Sequence, residues 1–200
     1  MSASKSIRRM PLRVSPNKLS LELNRLRVEN ARLRSALRID DLTGLYNARF
    51  LRERLDEVLA QRLAEGAAPA ILFLDVDFFK TVNEAHGHEA AGRVLGQIGL
   101  RIRDLIRRDD VAFRYAGDEF VVLVSGGAAG AALVGERLRS GIAEQAFCVE
   151  GHRGPVEVMV TVSVGTKVMQ PGERATDILA EADRAMFEAK RRSRNAVVAA

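Results

Sequence analysis

Residues 111–124, VAFRYAGDEFVVLV, decide the fold of this 200-residue chain. Two mainly apolar runs, 111–115 and 119–124, are separated by Ala116, Gly117 and Asp118. Short apolar runs on either side of a glycine-containing turn are typical of a β-hairpin. The segment therefore predicts two antiparallel strands in the middle of the chain, with acidic residues at their turn.

Apolar patterns of helix and strand alternate on both sides of this hairpin. Residues 70–76 form a short, mostly apolar run that predicts a buried strand. Valine at every even position of 156–164 predicts the second arm of another hairpin. Helical spacing of apolar residues predicts four helices, over 48–64, 89–107, 131–146 and 177–192. This order predicts an α/β fold, an α+β sandwich with a mostly antiparallel central sheet flanked by helices.

The composition excludes several classes of protein. Hydrophobic residues make up 47% and charged residues 28% of the chain, a balance that supports a folded core and excludes global disorder. The single cysteine, Cys148, excludes a disulfide scaffold, and no Cys/His cluster has zinc-ligand spacing. No apolar run approaches the ~20 residues of a membrane span, and the N-terminus does not resemble a signal peptide. We therefore expect a cytoplasmic protein without a membrane segment.

The first 39 residues predict a tail followed by a dimerisation helix. Residues 1–17 contain Pro11 and Pro16 among serines and arginines and predict a flexible basic tail. Residues 18–39 carry a heptad pattern that predicts a parallel, two-stranded coiled coil. The residues at its a and d positions are Leu19, Leu23, Leu26, Asn30, Leu33 and Leu37.

Two other readings of this segment stay open. A single amphipathic helix could pack on its own domain, because three heptads are the lower limit of a coiled-coil pattern. A zipper-type nucleic-acid-binding protein would need a continuous helix through its basic region, which Pro11 and Pro16 interrupt. The net charge of +5 and the pI near 9.9 suit nucleic acid, anionic lipid or phosphorylated small molecules alike. Because no basic stretch is interleaved with aromatic residues, we expect no nucleic-acid partner.

Two acidic clusters follow predicted strands. Strand alternation places Asp75 and Asp77 on one face at the exit of the 70–76 strand, and Asp118 and Glu119 lie at the hairpin turn. Carboxylates from separate elements suit Mg²⁺, which takes its remaining ligands from water and substrate phosphate. The alternative is that each acid is a solvated loop charge or a helix N-cap. Two clusters that each follow an apolar strand favour the metal site.

Several motifs along residues 40–200 are similar to those of the GGDEF family, the diguanylate cyclases, and occur in the family's order. The signature is YAGDEF at 115–120, with alanine in place of the first glycine. The other matching segments are DDLTGLYN at 40–47, FLDVDFFK at 73–80, Gly87-His88, and a closing helix with Ala182-Asp183, Ala189-Lys190 and then Arg194-Asn195. The resemblance implies that residues 40–200 form one catalytic domain with the palm-like nucleotidyl cyclase fold.

The resemblance also implies a Mg²⁺-dependent enzyme, with Mn²⁺ as a second usable metal. Asp75, the backbone carbonyl of Val76 and Asp118 would hold the metal ion. Asp118 would also help to deprotonate the attacking 3′-hydroxyl. Lys80 would stabilise charge on the phosphates, and Glu119 completes the catalytic set. This division of roles fits phosphoryl transfer, in which catalysis consists mainly of positioning and charge neutralisation.

A GTP site and a homodimer follow from the same resemblance. Each subunit would hold one GTP, and each 3′-oxygen would attack the α-phosphate held by the other subunit, giving cyclic di-GMP, a bacterial second messenger, and pyrophosphate. A monomer cannot close this ring, so the N-terminal coiled coil has a mechanistic purpose. The triphosphate would be bound by the backbone amides of Phe78 and Phe79 with Lys190 and Arg194, and the nucleoside would lie against Asn83, His88 and position 92.

Arg107 and Asp110 match the family's product-inhibition site, an Arg-x-x-Asp pair shortly before the signature. The planar guanidinium of arginine suits the O6 and N7 atoms of guanine, or a phosphate. The alternative is a charged loop without a ligand. A catalytically weak receptor that binds cyclic di-GMP through this pair is the alternative function for the whole chain.

Two positions depart from the family pattern. Ala116 replaces a glycine, which would cost about 1 kcal/mol if the turn requires a positive φ there. Gly92 stands where the family has an aspartate that reads the edge of guanine. Without that carboxylate we expect ATP to be used beside GTP, giving some cyclic GMP-AMP as well as cyclic di-GMP.

Overall fold

The computed structural model describes residues 16–36, 38–61, 68–151 and 154–200. The described residues fall into two units, the first ending at Leu37 and the second spanning Arg38–Ala200. The first unit contains one helix, α1, Pro16–Ala36. Pro16 and Asn17, predicted to belong to a tail, are therefore helical, and the rest of that tail lies outside the described residues.

The apolar side chains of α1 that the structure describes, within residues 20–29 and at residue 33, are open to solvent. Leu23, Leu26 and Leu33 of the heptad pattern are 45%, 60% and 60% exposed. The side chain of Asn30 lies outside the described residues. Exposed leucines at heptad spacing suit a helix that pairs with a second copy. The pairing itself stays a prediction.

The second unit contains a six-stranded sheet, a two-stranded hairpin and four helices. The six-stranded sheet has the order β1-β3-β4-β2-β7-β8, with antiparallel pairs in its centre and parallel pairs at its two edges. The predicted α/β architecture with a mostly antiparallel sheet flanked by helices is confirmed. The elements are β1 Tyr46–Asn47, α2 Ala48–Gln61, β2 Ala70–Val76, α3 Phe79–Leu105, β3 Val111–Ala116, β4 Glu119–Val124, α4 Gly127–Ala143, β5 Phe147–Gly151, β6 Gly154–Val158, β7 Val162–Val168, α5 Ala175–Arg192 and β8 Val197–Ala199.

Strand β2 lies in the middle of the sheet and is buried on both faces. Leu72 and Leu74 point into a core shared with α3 and α4, whereas Ile71 and Phe73 point into a core shared with α2 and α5. A strand covered on both faces has a nearly continuous apolar sequence, which is why 70–76 was readable as a buried strand. Its one acidic residue, Asp75, is buried as well, and Val76 after it belongs to the core shared with α3 and α4.

The run of even-numbered valines is divided between two strands, so the prediction of one arm over 156–164 is wrong. Val156 belongs to β6 and pairs with Val149, whereas Val164 belongs to β7 and pairs with Leu74 in the main sheet. Val158 and Val162 are buried in the same core. The pattern of alternate burial therefore continues across the break between the strands, which hides the break in the sequence.

Three helices begin earlier than predicted, and one of them, α5, begins at Ala175 rather than at residue 177. Helix α3 begins at Phe79 rather than at residue 89, because Phe79 and Val82, one turn apart, are both buried against the core. Gly87 has a non-helical conformation (φ 81°) and divides the helix. Helix α4 begins at Gly127 and ends at Ala143, and its first residues are small and carry no apolar periodicity. The short edge strands β1 and β8 were not predicted, and the predicted extension of α2 to residue 64 lies outside the described residues.

Glycines within α3 allow a loop to approach closely. A Cβ on Gly99 would lie 2.7 Å from the carbonyl oxygen of Thr43, and one on Gly96 would lie 3.1 Å from the carbonyl oxygen of Leu42. These glycines lower helix propensity but make room for the loop at 40–44. None of the helices in the described part of the chain has the length and apolar content that crossing a bilayer requires.

Candidate functional site

The exit of β2 and the tip of the β3–β4 hairpin meet at one place. Asp75 is the β2 residue opposite Glu119 of β4, and it is only 7% exposed. The backbone N–H of Val76 donates to the backbone carbonyl of Asp118, at 3.3 Å. The sheet therefore brings the predicted metal ligands Asp75, Val76 and Asp118 to the same edge.

The carboxylates at this edge repel one another. Burial raises the pKa of Asp75, and the neighbouring charges of Asp118 and Asp77 raise it further, although Lys190 opposes them. Burial likewise raises the pKa of Glu119, with added repulsion from Asp75, Asp183 and Asp118. A bound cation would relieve both effects.

Lys190 is the nearest positive charge to Asp75. Its Nζ lies 2.5 Å from Oδ1 of Asp75, an ion pair, but without the geometry of a hydrogen bond. Oδ1 is thus a buried carboxylate oxygen whose charge is compensated by the Lys190 ammonium. Asp75 and Asp118 fit a hard cation that takes few protein ligands, such as Mg²⁺.

Asp77 is unavailable as a further metal ligand. Its Oδ1 accepts a hydrogen bond from Ser163 Oγ at 2.7 Å, and its Oδ2 accepts from Thr161 Oγ1 at 2.6 Å and from the backbone N–H of Asn195 at 3.0 Å. Within the described part of the chain, no group of three or more His, Cys, Asp or Glu side chains is arranged to hold a metal. The site therefore offers two carboxylates and a backbone carbonyl rather than a cage of side chains.

Three of the seven predicted nucleotide-binding residues, Phe79, Asn83 and His88, line one cavity of about 430 Å³ together with the predicted catalytic residues Lys80 and Asp118. The lining residues are Phe79, Lys80, Asn83, Glu84, His88 and Asp118. His88 Nδ1 and Asn83 Oδ1 are 3.0 Å apart, and Asn83 Nδ2 donates to the carbonyl of Phe79 at 3.3 Å. The Lys80 side chain is 88% exposed, with Nζ 3.7 Å from Glu84, so it is free to turn toward a bound anion. Asp118 links this cavity to the cluster around Asp75.

The residues predicted to bind the triphosphate flank the N-terminus of α3. Phe78 adopts a left-handed conformation (φ 57°) before the helix, and no side chain caps the helix end. The Cζ atom of Arg194 lies 4.4 Å from the centre of the Phe78 ring. Uncapped backbone N–H groups beside a guanidinium and the ammonium of Lys190 form a cationic region suited to phosphate.

Gly92 lies one helical turn after His88 but does not line the cavity. The nearest atom to a Cβ at this position would be Leu42 Cδ1, at 3.7 Å, so a side chain there has ordinary contact distance. Arg93 points elsewhere: its guanidinium donates to Glu89 Oε1 at 2.6 Å and to the carbonyl of Glu150 at 2.5 Å. Arg93 therefore does not replace the missing carboxylate.

The hairpin turn does not strain Ala116. The left-handed residue of the turn is Gly117 (φ 47°), whereas Ala116 does not have a positive φ. The expected cost of alanine in the signature is therefore not incurred.

Sequence analysis missed the residue that holds this turn. Arg114 donates to the carbonyl of Gly117 through Nε and Nη2 at 3.1 and 2.8 Å, and its Nη1 lies 3.2 Å from both carboxylate oxygens of Asp40. Asp40 in turn accepts from the backbone and hydroxyl of Thr43. Although burial opposes them, these bonds and the charge of Arg114 lower the pKa of Asp40. The Asp-x-x-Thr spacing, which is typical of a local side-chain turn, was the available signal.

Arg107 and Asp110 lie in the turn between α3 and β3. Asp110 is buried, and its Oδ2 accepts a hydrogen bond from the backbone N–H of Arg107 at 3.0 Å. The Arg107 residue itself is exposed. Asp110 thus has a structural role in the turn, and the guanidinium of Arg107 is the group left accessible to a ligand.

Comparisons with known proteins agree with this geometry. The family model described as diguanylate cyclase, GGDEF domain, matches residues 37–196. Response regulator PleD of Caulobacter vibrioides is 34% identical over 160 residues, which make up 80% of this chain and 35% of PleD. The chain thus spans about a third of that relative's length.

Two solved structures share the fold. Diguanylate cyclase SiaD of Pseudomonas aeruginosa, crystallised with its activator SiaC, matches with a TM-score of 0.76 and 34% identity over 92% of this chain and 70% of that chain. The coiled coil and GGDEF domain of DgcB from Caulobacter crescentus, crystallised with c-di-GMP, matches with a TM-score of 0.76 and 27% identity over 92% of this chain and 96% of that chain.

Proposed function

Because the chain belongs to the GGDEF family of diguanylate cyclase domains, we propose that it condenses two GTP molecules into cyclic di-GMP and two pyrophosphates. The observation that carries the proposal is the position of Asp118. It lines the cavity that holds Lys80, Asn83 and His88, and its backbone bonds to the strand end that carries Asp75. Nucleotide-binding and metal-binding groups are therefore adjacent.

The metal site consists of Asp75, Asp118 and the carbonyl of Val76. When bound, Mg²⁺ or Mn²⁺ would neutralise phosphate charge and lower the pKa of a coordinated hydroxyl. The burial of Asp75 and the repulsion from its neighbouring carboxylates support this assignment. In the absence of a metal, Lys190 supplies the compensating charge.

The chain's own residues bind and orient the nucleotide. Lys80, Lys190 and Arg194 neutralise the triphosphate, the α3 N-terminus offers its N–H groups, and Asn83 with His88 contacts the nucleoside. The 3′-oxygen of one nucleotide attacks the α-phosphorus of the other, so a new P–O bond forms while the bond to pyrophosphate breaks. Asp118 accepts the proton of the attacking hydroxyl, and Glu119 lies next to it.

The reaction needs two subunits, because each cavity holds one nucleotide and ring closure requires two attacks. The exposed leucines of α1 provide the surface for a parallel coiled coil. DgcB, whose solved structure includes a coiled coil with its GGDEF domain, supports this arrangement. The homodimer is part of the proposal.

Base selection and feedback complete the proposal. With glycine at position 92, the site lacks a carboxylate that distinguishes guanine from adenine, so ATP enters beside GTP and yields some cyclic GMP-AMP. Cyclic di-GMP binds at Arg107, in the turn that Asp110 closes, and inhibits the enzyme. The chain acts as a regulated source of a second messenger.

The direct test is to incubate the purified chain with GTP, ATP and Mg²⁺ and to identify the products. We expect cyclic di-GMP from the unchanged protein and none from Asp118→Asn. Asp118 is half-buried at the turn, and its charge repels Asp75 and Glu119, so its replacement should not lower the melting temperature. A matched control is Asp109→Asn, which changes an exposed aspartate away from the cavity. Full activity of Asp118→Asn would refute the assignment.

A further inference from the structure

The segment after α5 contains two neighbouring residues in an unfavourable backbone conformation. Arg194 (φ 55°) and Asn195 (φ 44°) are both left-handed, although neither is glycine. Asparagine tolerates this region better than most residues, whereas arginine has no such preference. Strained backbone of this kind persists only where surrounding interactions hold it, and it is concentrated at functional sites.

Contacts from three directions hold this segment. The N–H of Arg194 closes the end of α5 by donating to the carbonyl of Ala189 at 3.0 Å. The side chain of Asn195 accepts from Arg139 of α4 at 2.9 Å. The backbone N–H of Asn195 donates to Oδ2 of Asp77 at 3.0 Å.

Asp77 is the contact that joins this segment to the nucleotide site. It is 3% exposed, and it directly precedes Phe78, the left-handed residue at the start of α3. Its side chain holds Asn195, which directly follows Arg194. Asp77 is thus next to Phe78 in the chain and hydrogen-bonded to the residue after Arg194, so it joins the two segments whose side chains meet where Arg194 lies over the Phe78 ring.

Two hydroxyl groups and one backbone N–H donate to Asp77, so both of its carboxylate oxygens are engaged within the protein. Ser163 and Thr161 donate to separate oxygens from the end of β7 and the residue before it. A buried carboxylate that accepts three hydrogen bonds at fixed positions is an anchor.

We propose that Asp77 is a positioning residue for nucleotide binding: it holds residues 194 and 195 in the left-handed conformation that places the guanidinium of Arg194 beside the N-terminus of α3. The proposal rests on the proposed function, because it takes the ligand at that position to be a nucleotide triphosphate. Loss of the Asp77 carboxylate releases Asn195, and Arg194 then returns to a favourable φ that moves its side chain away from Phe78.

The test is a double-mutant cycle on nucleotide affinity. The probe is the α,β-methylene analogue of GTP with Mg²⁺, which binds without transferring its nucleotidyl group, and the readout is its dissociation constant by calorimetry. We expect Arg194→Ala to weaken binding about tenfold or more, the effect of losing a charge-assisted hydrogen bond. Asp77→Ala should weaken binding by a similar factor, and the double variant should bind no more weakly than Arg194→Ala alone.

Two further variants separate positioning from general damage to the fold. Asn195→Pro removes the N–H that donates to Asp77 and forbids the left-handed φ, so it should reproduce the affinity loss while leaving the buried Asp77 carboxylate bonded to both hydroxyls. Because proline also removes the acceptor of Arg139, Arg139→Ala is its control and should bind nearly as the unchanged protein does. Asp77→Asn retains an oxygen for Asn195 and an amide for Ser163, so it should restore most of the affinity. Ser163→Ala, which removes a donor on the other oxygen, should bind nearly as the unchanged protein does.

The outcomes are distinct. Unchanged affinity of both Asp77→Ala and Asn195→Pro, or losses that multiply in the double variant, would overturn the positioning role. Failure of the unchanged protein to bind the analogue would overturn the proposed function and this role with it. Normal binding by the unchanged protein, with matched and non-additive losses in the variants, would establish the role.

Discussion

Replacing Gly92 with aspartate should convert a permissive base site into one that selects guanine. A Cβ at this position would lie 3.7 Å from Leu42 Cδ1, which is ordinary van der Waals contact, so the side chain fits without moving the loop. Aspartate also favours a helix slightly more than glycine does. The free energy of unfolding should therefore change by less than about 1 kcal/mol, a shift of at most a few degrees in melting temperature.

The carboxylate would act on the base. It would accept hydrogen bonds from N1–H and the exocyclic amine of guanine, whereas adenine presents an acceptor at N1 and leaves the carboxylate unpaired. A bidentate contact of this kind discriminates by about 1–3 kcal/mol, which corresponds to about tenfold to a hundredfold in relative rate. Asn83 can pair with either base, so it does not reproduce this selectivity.

The assay is competition between equimolar GTP and ATP in the presence of Mg²⁺, with the cyclic products separated and quantified. The unchanged protein should form cyclic GMP-AMP beside cyclic di-GMP, and Gly92→Asp should form almost only cyclic di-GMP. Gly92→Ala is the control, because it adds a Cβ without a carboxylate and should leave the product ratio unchanged. If the unchanged protein forms no product from ATP, the reasoning is refuted. Selection of guanine by Arg93 would not explain that result, because the Arg93 guanidinium already donates to Glu89 and to the carbonyl of Glu150.

Three other changes test the dimer, the product site and the turn network. Deleting residues 1–37 should lower activity most at low protein concentration. This deletion keeps Arg38, whose backbone carbonyl accepts a hydrogen bond from the backbone N–H of Asn47. Equal specific activity across dilution would contradict a role of α1 in pairing. Arg107→Ala preserves its backbone bond to Asp110 and should weaken cyclic di-GMP binding in calorimetry and relieve product inhibition, whereas unaltered binding would make the segment a charged loop. The pKa of Asp40 is lowered in the fold, so its stabilising effect should be complete above the unfolded carboxyl pKa of about 3.9 and be lost as pH falls through the lower folded value. The difference in melting temperature between the unchanged protein and Asp40→Asn should therefore shrink on acidification, and a constant difference would show that ionisation of Asp40 contributes nothing.

Local patterns were sufficient for the elements that carry the active residues. The apolar run 70–76 and the paired runs around Gly117 predicted β2, β3 and β4, because strand burial and turn composition are properties of neighbouring residues. The acids that end these elements were visible for the same reason. Their spacing along the chain also carried the family resemblance, which the match over residues 37–196 confirms.

The tertiary structure decided which side chains those acids meet. Asp75 and Asp77 share a strand face in the sequence pattern, yet Asp75 forms an ion pair with Lys190, whereas both oxygens of Asp77 accept hydrogen bonds. The partner that distinguishes Asp77 is Asn195, 118 residues away along the chain. Alternation along a strand determines the face of the sheet on which a side chain lies. The group that donates a hydrogen bond to that side chain comes from another part of the chain.

Backbone conformation depended on the fold in the same way. The left-handed Arg194 and the unstrained Ala116 contradict what residue preference alone suggests. The valines of 156–164 keep one burial pattern while changing sheets, because both strands face the same core. The sequence by itself determined β2, β3, β4, the acidic turn and the family, since each depends on residues close together in the chain. Only the tertiary structure could separate Asp75, the carboxylate proposed to bind the metal, from Asp77, the anchoring one, because that difference arises from contacts between distant segments.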